Sequence, residues 1–296
     1  MNPPKVIVNA EPPKEWFEIV GRGLERHNTA ATSIVEYYPV CFVVREAGNQ
    51  VLGGLYGSLW GQWMHVGSIW VDRALRGRGL GIQLMAAAEE YARSKGCVAS
   101  FLQTGSFEAR PFYEKLGYRV YAALNDHPTK GHDRFHMSKR YSEANRLPLS
   151  PDAAISFEPY ASKEVQETIH RGVRTHAIAA IGLPEEMWSA AHFFLQNDDR
   201  EIVGGALGNI WGDWYFLDIL WVDRPLRGQD NGQRMLAAAE QHAIERGCTD
   251  AHLDTASFQA RPFYEKLGYT VFGTLEDHPV GHTHYLLSKR LRAVDR

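Results

Sequence analysis

A glycine-rich turn stands between a predicted strand and a predicted helix in the first half of the chain. Residues 76–81 read Arg-Gly-Arg-Gly-Leu-Gly, shortly after the apolar strand that ends at Val71. Glycine permits a tight turn, and backbone N–H groups at the positive N-terminus of a helix bind phosphate well. The pattern therefore indicates a phosphate or pyrophosphate site, although a turn of this kind can also be purely structural.

The chain contains two copies of these motifs, and the copies differ in the glycine-rich turn. Residues 109–118 recur unchanged as residues 260–269, but the second turn, residues 227–232, reads Arg-Gly-Gln-Asp-Asn-Gly. Asp230 thus stands where the first copy has Gly79. A carboxylate beside a pyrophosphate opposes binding by about 1 to 2 kcal/mol, or roughly tenfold in affinity. We expect the first copy to bind a phosphorylated cofactor better than the second.

Both copies resemble the GNAT acetyltransferase superfamily over most of their length. Arg76-x-x-Gly79-x-Gly81 is similar to that superfamily's Arg/Gln-x-x-Gly-x-Gly/Ala signature, and Ala109-x-x-x-Tyr113 is similar to its second motif. The resemblance implies that the turn holds the pyrophosphate of acetyl-CoA and that the preceding strand pairs with the pantetheine arm. The cofactor-binding residues that it implies are Ile69, Val71, Arg76, Gly77, Arg78, Gly79, Leu80 and Gly81, with Ser106 standing where the superfamily often has Asn.

The resemblance also gives the tyrosine of the second motif a catalytic role. Tyr113 would protonate the departing coenzyme A thiolate, and Tyr264 has the same local frame in the second copy. Asp218 lies inside an apolar strand where the first copy has Gly67. It is a candidate base whose pKa burial would raise, or else a hydrogen-bonded structural acid. For the first copy the candidate bases are His65, Glu36 and a chain of water molecules.

The order of elements predicts an α/β fold in each copy. Strands, a helix after the glycine-rich turn, a further strand and a short helix are typical of a mixed, mostly antiparallel sheet flanked by helices. A polar segment with two prolines, residues 144–152, predicts a linker between an N-terminal GNAT-like domain, 1–143, and a C-terminal one, 153–296. The elements predicted for the first copy are a helix at 13–26, strands at 40–45, 51–60 and 63–71, a helix from 80 to 95, a strand at 98–104, a short helix at 112–116 and a last strand near 134–139. We expect Trp60, Trp63, Trp211 and Trp214 to lie in the core or at an interface.

The composition of the chain argues against some classes of binding partner. The 296 residues carry a formal net charge of −3, which argues against a nucleic-acid-binding protein. Three cysteines without a disulfide spacing, and no apolar run long enough to span a bilayer, predict a cytoplasmic protein without a membrane partner. His127-Pro128 and His278-Pro279 are interpreted as loop residues, and no metal site is predicted.

The sequence as a whole predicts an N-acetyltransferase. Acetyl-CoA would bind mainly in the N-terminal domain, and a primary amine of a small molecule or peptide would attack its thioester directly. The two domains would pack in one chain as a monomer that imitates a dimer. Two alternatives stay open: the C-terminal domain is the catalytic one, with Asp218 as base and Tyr264 as acid, or the protein binds acyl-CoA without turnover.

Overall fold

The computed structural model describes residues 3–9, 11–46, 49–150, 155–182 and 188–291, and within them two sheets of seven strands. The elements of the first copy are β1 (Lys5–Val8), α1 (Lys14–Thr32), β2 (Tyr37–Arg45), β3 (Val51–Trp60), β4 (Trp63–Val71), α2 (Leu80–Ser94), β5 (Ala99–Gly105), α3 (Arg110–Lys115), β6 (Arg119–Leu124) and β7 (Arg134–Arg140). Those of the second copy are β8 (Ile155–Phe157), α4 (Lys163–Ile181), β9 (Trp188–Gln196), β10 (Ile202–Trp211), β11 (Trp214–Val222), α5 (Asn231–Glu245), β12 (Asp250–Ala256), α6 (Arg261–Lys266), β13 (Thr270–Glu276) and β14 (Thr283–Arg290). The predicted α/β fold with mixed, mostly antiparallel sheets is confirmed, since among the described strands only β4–β5 and β11–β12 pair in parallel.

Each sheet contains a strand from the other copy. One sheet has the order β6-β7-β5-β4-β3-β2-β8, and the other has the order β1-β9-β10-β11-β12-β14-β13. The helices that come after these two strands are exchanged as well. α1 lies against β10 and β11 of the second copy, and α4 lies against β3 and β4 of the first. The boundaries expected at 143 and 153 follow the repeat in the sequence, whereas the sheets are assembled by exchanging the first strand and helix of each copy.

A glycine on each exchanged helix makes this packing possible. Gly23 of α1 and Gly172 of α4 lie against the indole rings of Trp221 and Trp70 so closely that a Cβ on either glycine would overlap the ring. The tryptophans come from β11 and β4, just before the two glycine-rich turns. The sequence motif that precedes each turn therefore also forms the contact that seats the exchanged helix.

The elements that the sequence analysis does not predict lie at the edges of the sheets. β1 and β8 are the short exchanged strands, while β6 and β13 are edge strands that face each other across the two sheets. There the backbone of Gly273 approaches Ala122 so closely that a side chain at Gly273 would overlap it. Among the described helices, none is long and apolar enough to cross a membrane.

Tryptophan side chains join the two halves. Trp63 Nε1 donates a hydrogen bond to the carbonyl oxygen of Asp277 at 2.6 Å, and Trp214 Nε1 donates to that of Asp126 at 2.7 Å. Trp63 and Trp214 are themselves buried. The prediction of a core or interface position is confirmed for Trp63 and Trp214, while Trp60 and Trp211 are half-buried and contact His278 and His127 of the opposite half. The two symmetric bonds close the loops after β6 and β13 onto the opposite half.

We expect the substitution Gly23→Ala to destabilise the fold relative to Gly21→Ala on the same helix. Both changes favour the helix by up to about 1 kcal/mol, but a Cβ at Gly21 has no neighbour within 4 Å whereas one at Gly23 overlaps Trp221. Overpacking of this kind costs about 1–3 kcal/mol. Urea denaturation should place the free energy of unfolding of Gly23→Ala below that of Gly21→Ala by about that amount. Equal stability of the two variants would contradict the described helix packing.

Candidate active site

The first glycine-rich turn presents an open helix N-terminus. Gly77 and Gly79 have φ values of +78° and +80°, and α2 begins immediately afterwards at Leu80. A Cβ at either glycine would meet no atom within 4 Å, and no side chain in the described part of the chain caps the helix. The first N–H groups of α2 are therefore turned toward free space, which is the arrangement that binds an anion.

The arginine of the turn holds the turn itself in place. Arg76 Nε donates a hydrogen bond to the carbonyl oxygen of Val71 at 3.1 Å, and Arg227 Nε donates to that of Val222 at 2.8 Å in the second copy. Each side chain thus folds back onto the end of the preceding strand. Each turn is thus tied to its preceding strand through one guanidinium nitrogen.

The second turn has the same backbone shape but a different charge. Gly228 and Asp230 have φ values of +74° and +57°, close to those of their counterparts Gly77 and Gly79. Asp tolerates the left-handed region better than most residues, so the replacement is compatible with the fold. What it changes is the surface of the turn, where an exposed carboxylate now stands at the start of α5.

A cleft opens between β4 and β5, and its walls come from both copies. The parallel pairing of these strands stops at Val66 and Leu102, so the rest of β4 has a free edge on that side. The cleft has a volume of about 1570 Å³ and also reaches α4, β11 and β12. Of the residues predicted to bind the cofactor, those that line it are Ile69, Val71, Arg76, Gly77, Gly79, Leu80 and Gly81.

Two of the predicted cofactor-binding residues lie elsewhere. Arg78 and Ser106 are not among the residues that line the cleft. The hydroxyl of Ser106 accepts a hydrogen bond from the backbone N–H of Asp133 at 3.0 Å. Its side chain is thus engaged in joining β5 to the start of β7.

The second copy has a smaller groove in the corresponding position. Its volume is about 500 Å³, and it is lined by the turn with Asp230, by Tyr264 and by the exchanged helix α1 through Leu24 and His27. The parallel pairing of β11 with β12 stops at Leu217, as the pairing of β4 with β5 does at Val66. The same architecture therefore supports two grooves that differ in size and charge.

Both motif tyrosines are held in their neutral form. Burial raises the pKa of Tyr113 well above its usual range, with a further contribution from Glu108. Burial likewise raises the pKa of Tyr264, with a contribution from Asp254. Tyr113 lines the large cleft and Tyr264 lines the smaller groove. Each phenol therefore keeps a proton that it can donate at neutral pH.

Asp218 occupies a β-bulge that directs its carboxylate into both cavities. In the pairing of β10 with β11, Leu207 faces Ile219 and Gly208 faces Leu217, which leaves Asp218 as the extra residue. Asp218 lines both the large cleft and the smaller groove. The surrounding protein desolvates its carboxylate and, with the nearby charge of Asp254, raises its pKa to about 6. Gly67 is the bulged residue at the same place on β4.

The structure brings a further acid into the cleft that the sequence analysis does not predict. Asp254 on β12 receives a hydrogen bond from His284 on β14, with Nε2 and Oδ2 2.8 Å apart. Desolvation alone would raise the pKa of Asp254, but the hydrogen bond and nearby histidines outweigh it and lower the pKa. In the first copy, Gln103 accepts a hydrogen bond from Arg134 at the same position. Neither pair forms a motif, and a comparison of the two copies at Gln103 and Asp254 is the signal that could have revealed them.

Histidines gather where the two halves meet. His127, His136 and His278 are buried, and burial lowers the pKa of each, so all three are neutral at physiological pH. All three line the cleft, as does His65, whereas Glu36 is not among the lining residues. In the described part of the chain, no group of three or more His, Cys, Asp or Glu side chains is arranged to hold a metal ion.

Comparisons with known proteins agree with this geometry. The model of the acetyltransferase (GNAT) family matches residues 10–118 and again residues 162–269. The chain is 40% identical over 92 residues to blasticidin-S acetyltransferase of Streptomyces morookaense, covering 31% of this chain and 68% of that protein. It is 30% identical over 130 residues to acetyltransferase Atu2258 of Agrobacterium fabrum, covering 44% of this chain and 93% of that protein. A solved acetyltransferase from Bacillus cereus is 33% identical, with a TM-score of 0.41, and covers 44% of this chain and 94% of its own.

We expect the carboxyl group of Asp218 to titrate near pH 6. Its raised pKa means that ionisation disfavours the folded state, so the wild-type protein loses stability as the pH rises from about 4 through 6. Asp218→Asn should remove this loss and become more stable than the wild type at pH values above about 7. Carboxyl NMR titration and urea denaturation at several pH values measure the two effects. Asp199→Asn, in an exposed turn, controls for the change in net charge; a midpoint near pH 4 for Asp218 would contradict the described environment.

Proposed function

Because the chain belongs to the GNAT acetyltransferase family, we propose that its first copy binds acetyl-CoA and transfers the acetyl group to a primary amine of a small molecule or peptide. The observation that carries this proposal is the open turn at Gly77 and Gly79, beside the free edge of β4. Family membership makes the chain an acetyl-CoA-dependent N-acetyltransferase. The assignment of the cofactor to the first copy and the nature of the acceptor are our proposal.

The first turn suits a pyrophosphate better than the second. Backbone N–H groups at the start of α2 can donate to phosphate oxygens, and the helix dipole adds a favourable potential. The free edge of β4 at Ile69 and Val71 offers N–H and C=O groups to the amide groups of a pantetheine arm. In the second copy, the carboxylate of Asp230 repels a pyrophosphate, and the groove has about a third of the volume.

The reaction then needs one acid and one base. The amine attacks the thioester carbonyl carbon, the C–S bond breaks, and the thiolate takes a proton from Tyr113, whose raised pKa keeps that proton in place until the sulfur needs it. His65 faces the same cleft and is neutral because burial lowers its pKa, so it can take a proton from the ammonium group of the acceptor and leave the neutral amine that attacks. Asp218 is a second candidate base that lines the cleft.

A second candidate places catalysis in the second copy. Asp218 and Tyr264 line the same groove, which gives that copy a carboxylate base and a phenol acid. Because the pKa of Asp218, about 6, still lies below neutral pH, the carboxyl group is ionised above pH 7. The raised pKa also makes it a stronger base than an ordinary carboxylate. Binding of acetyl-CoA without transfer to any amine in a broad panel would instead indicate an acyl-CoA sensor.

We further propose that the protein acts in the cytoplasm as a monomer. All three cysteines are buried and free, as is typical of a reducing compartment. The exchanged strands already give each sheet a partner within one chain, so a second copy is not needed to complete either groove.

Calorimetric titration of acetyl-CoA should show one tight site per chain. Gly79→Asp should weaken that site by roughly tenfold or more, because it introduces a carboxylate beside the pyrophosphate while a Cβ there meets no protein atom. Asp230→Gly is the matched control and should leave the tight site unchanged or add a second one. An unchanged tight site in Gly79→Asp, together with tighter binding at that single site in Asp230→Gly, would place the cofactor in the second copy.

Phenylalanine substitutions test which tyrosine is the acid. Tyr113→Phe should lower kcat by about 10²- to 10⁴-fold, because it removes a general acid, while leaving the affinity for acetyl-CoA nearly unchanged. Tyr264→Phe removes the same hydroxyl from an equivalent frame and should change kcat by less than about threefold. The steady-state rate with a reactive amine gives both values. The opposite pattern, together with inactivity of Asp218→Asn, would establish the second copy as the catalyst.

A further inference from the structure

The part of the cleft beyond the turn carries charges of both signs, which bears on the acceptor that the proposed function requires. One positive charge there is Arg134 on β7, whose guanidinium group donates to the side-chain oxygen of Gln103 and lies 5.9 Å from the centre of the Trp211 ring. The charge of Glu108 acts on Arg134, but Glu108 Oε2 already accepts hydrogen bonds from Gly105 N and Thr104 Oγ1. Arg134 forms no ion pair within the described ranges of the chain.

The negative charge of the same cleft comes from the second copy. Asp254 accepts a hydrogen bond from His284, and Asp218 projects from its bulge nearby. Desolvation and then the charge of Asp254 raise the pKa of Asp218. No cationic Lys or Arg side chain forms an ion pair with Asp218 in the residues that the structure covers. The two carboxylates therefore leave a negative potential on this side of the cleft.

Two histidines lie between these charges. Burial is the largest cause that lowers the pKa values of His65 and His136. For both histidines, the charge of Arg134 lowers the pKa further and that of Asp254 raises it. His136 is 2% exposed, and neither of its ring nitrogens has a hydrogen-bond partner among the described residues. A neutral imidazole has one donor and one acceptor, so His136 carries unsatisfied polar groups at the wall of the cleft without adding a charge.

From this arrangement we propose that the cleft binds a zwitterionic acceptor, an amine that also carries a carboxylate or a phosphate. The anionic group faces Arg134, and the ammonium group faces Asp254 and Asp218. The proposal rests on the proposed function, because the acceptor amine must reach the thioester in the same cleft. The halves thereby divide the work: the first copy holds the cofactor and the anion, and the second copy holds the cation.

Neither a simple cation nor a simple anion satisfies this cleft. A monoamine would leave the half-buried guanidinium of Arg134 without an ionic partner, and an anion without an amine would face the carboxylates of Asp254 and Asp218. In either case one side of the cleft lacks a ligand group of opposite charge. A zwitterion neutralises both sides at once.

The test compares matched pairs of probes that differ only in the anionic group. β-Alanine is paired with propylamine, γ-aminobutyrate with butylamine, and phosphoethanolamine with ethylamine. Binding is followed by ligand-observed NMR on protein saturated with coenzyme A, a readout that does not require turnover. We expect at least one zwitterion to bind roughly tenfold or more tightly than its amine, and the pair that shows the preference distinguishes carboxylate from phosphate.

Variants locate the preference in the cleft. Arg134→Gln should abolish it without changing the affinity for the amine, Arg134→Lys should retain part of it, and Asp254→Asn should weaken both members of the pair. Arg119→Gln, which removes an exposed charge at the start of β6, is the control for net charge and should have no effect.

The two proposals fail in different ways. If the wild-type protein binds coenzyme A but shows no preference for any zwitterion, the acceptor proposal is overturned and the acetyltransferase proposal stands. If Arg134→Gln keeps the full preference, the acceptor proposal is also overturned. Failure to bind coenzyme A at all contradicts the cofactor assignment, and the wild-type comparison of probes remains decisive even if a variant does not fold.

Discussion

The reciprocal exchange of the first strand and helix is the constraint on which the rest of this structure depends. β1 pairs with β9 and β8 with β2, so each sheet is finished by a strand from the other copy. The helices that follow are seated by Gly23 and Gly172 against two tryptophans. Because α4 also forms a wall of the cleft that holds the first turn, the shape of that cleft depends on residues of both copies. Folding of one sheet and completion of the other site are therefore coupled.

A buried network fixes the helix that carries the first turn. Lys139 Nζ lies 2.7 Å from Glu89 Oε2, with both side chains almost fully enclosed, and the hydroxyl of Tyr118 donates to the other oxygen of Glu89. Burial raises the pKa of Glu89, while Lys139 acts in the opposite direction. A buried pair of this kind contributes little net stability but is strongly destabilising when one partner is removed. It anchors α2 to the sheet, so the N–H groups of the turn keep their direction. Glu240, Lys289 and Tyr269 repeat the arrangement under α5.

The sequence allows the local features of the site to be predicted and hides its long-range ones. The turn, the start of α2 and the strand before it depend on glycine and on apolar patterning within a few residues, and all of them can be read from the chain. The pairing of Lys5–Val8 with Phe193–Gln196 joins segments separated by more than half of the chain, and four residues of strand carry no signal of their partner. Asp254 meets His284 through the register of β12 with β14, which no spacing in the sequence announces. Ser106 shows the reverse case, in which a position matched to a motif is engaged in a backbone contact with Asp133.

The fusion of the two copies into one chain has a consequence for how they can diverge. In a symmetric dimer of identical subunits, every substitution appears twice and must suit both sites at once. Here the two turns are separate segments of one chain, so the second can have Asp230 while the first keeps Gly79. The covalent link keeps the two halves at fixed stoichiometry whatever the concentration of the protein, and the exchanged strands fix their orientation. The backbones of the two copies therefore stay alike while their side chains differ. As a result, two equivalent surfaces can contribute opposite charges to one pocket.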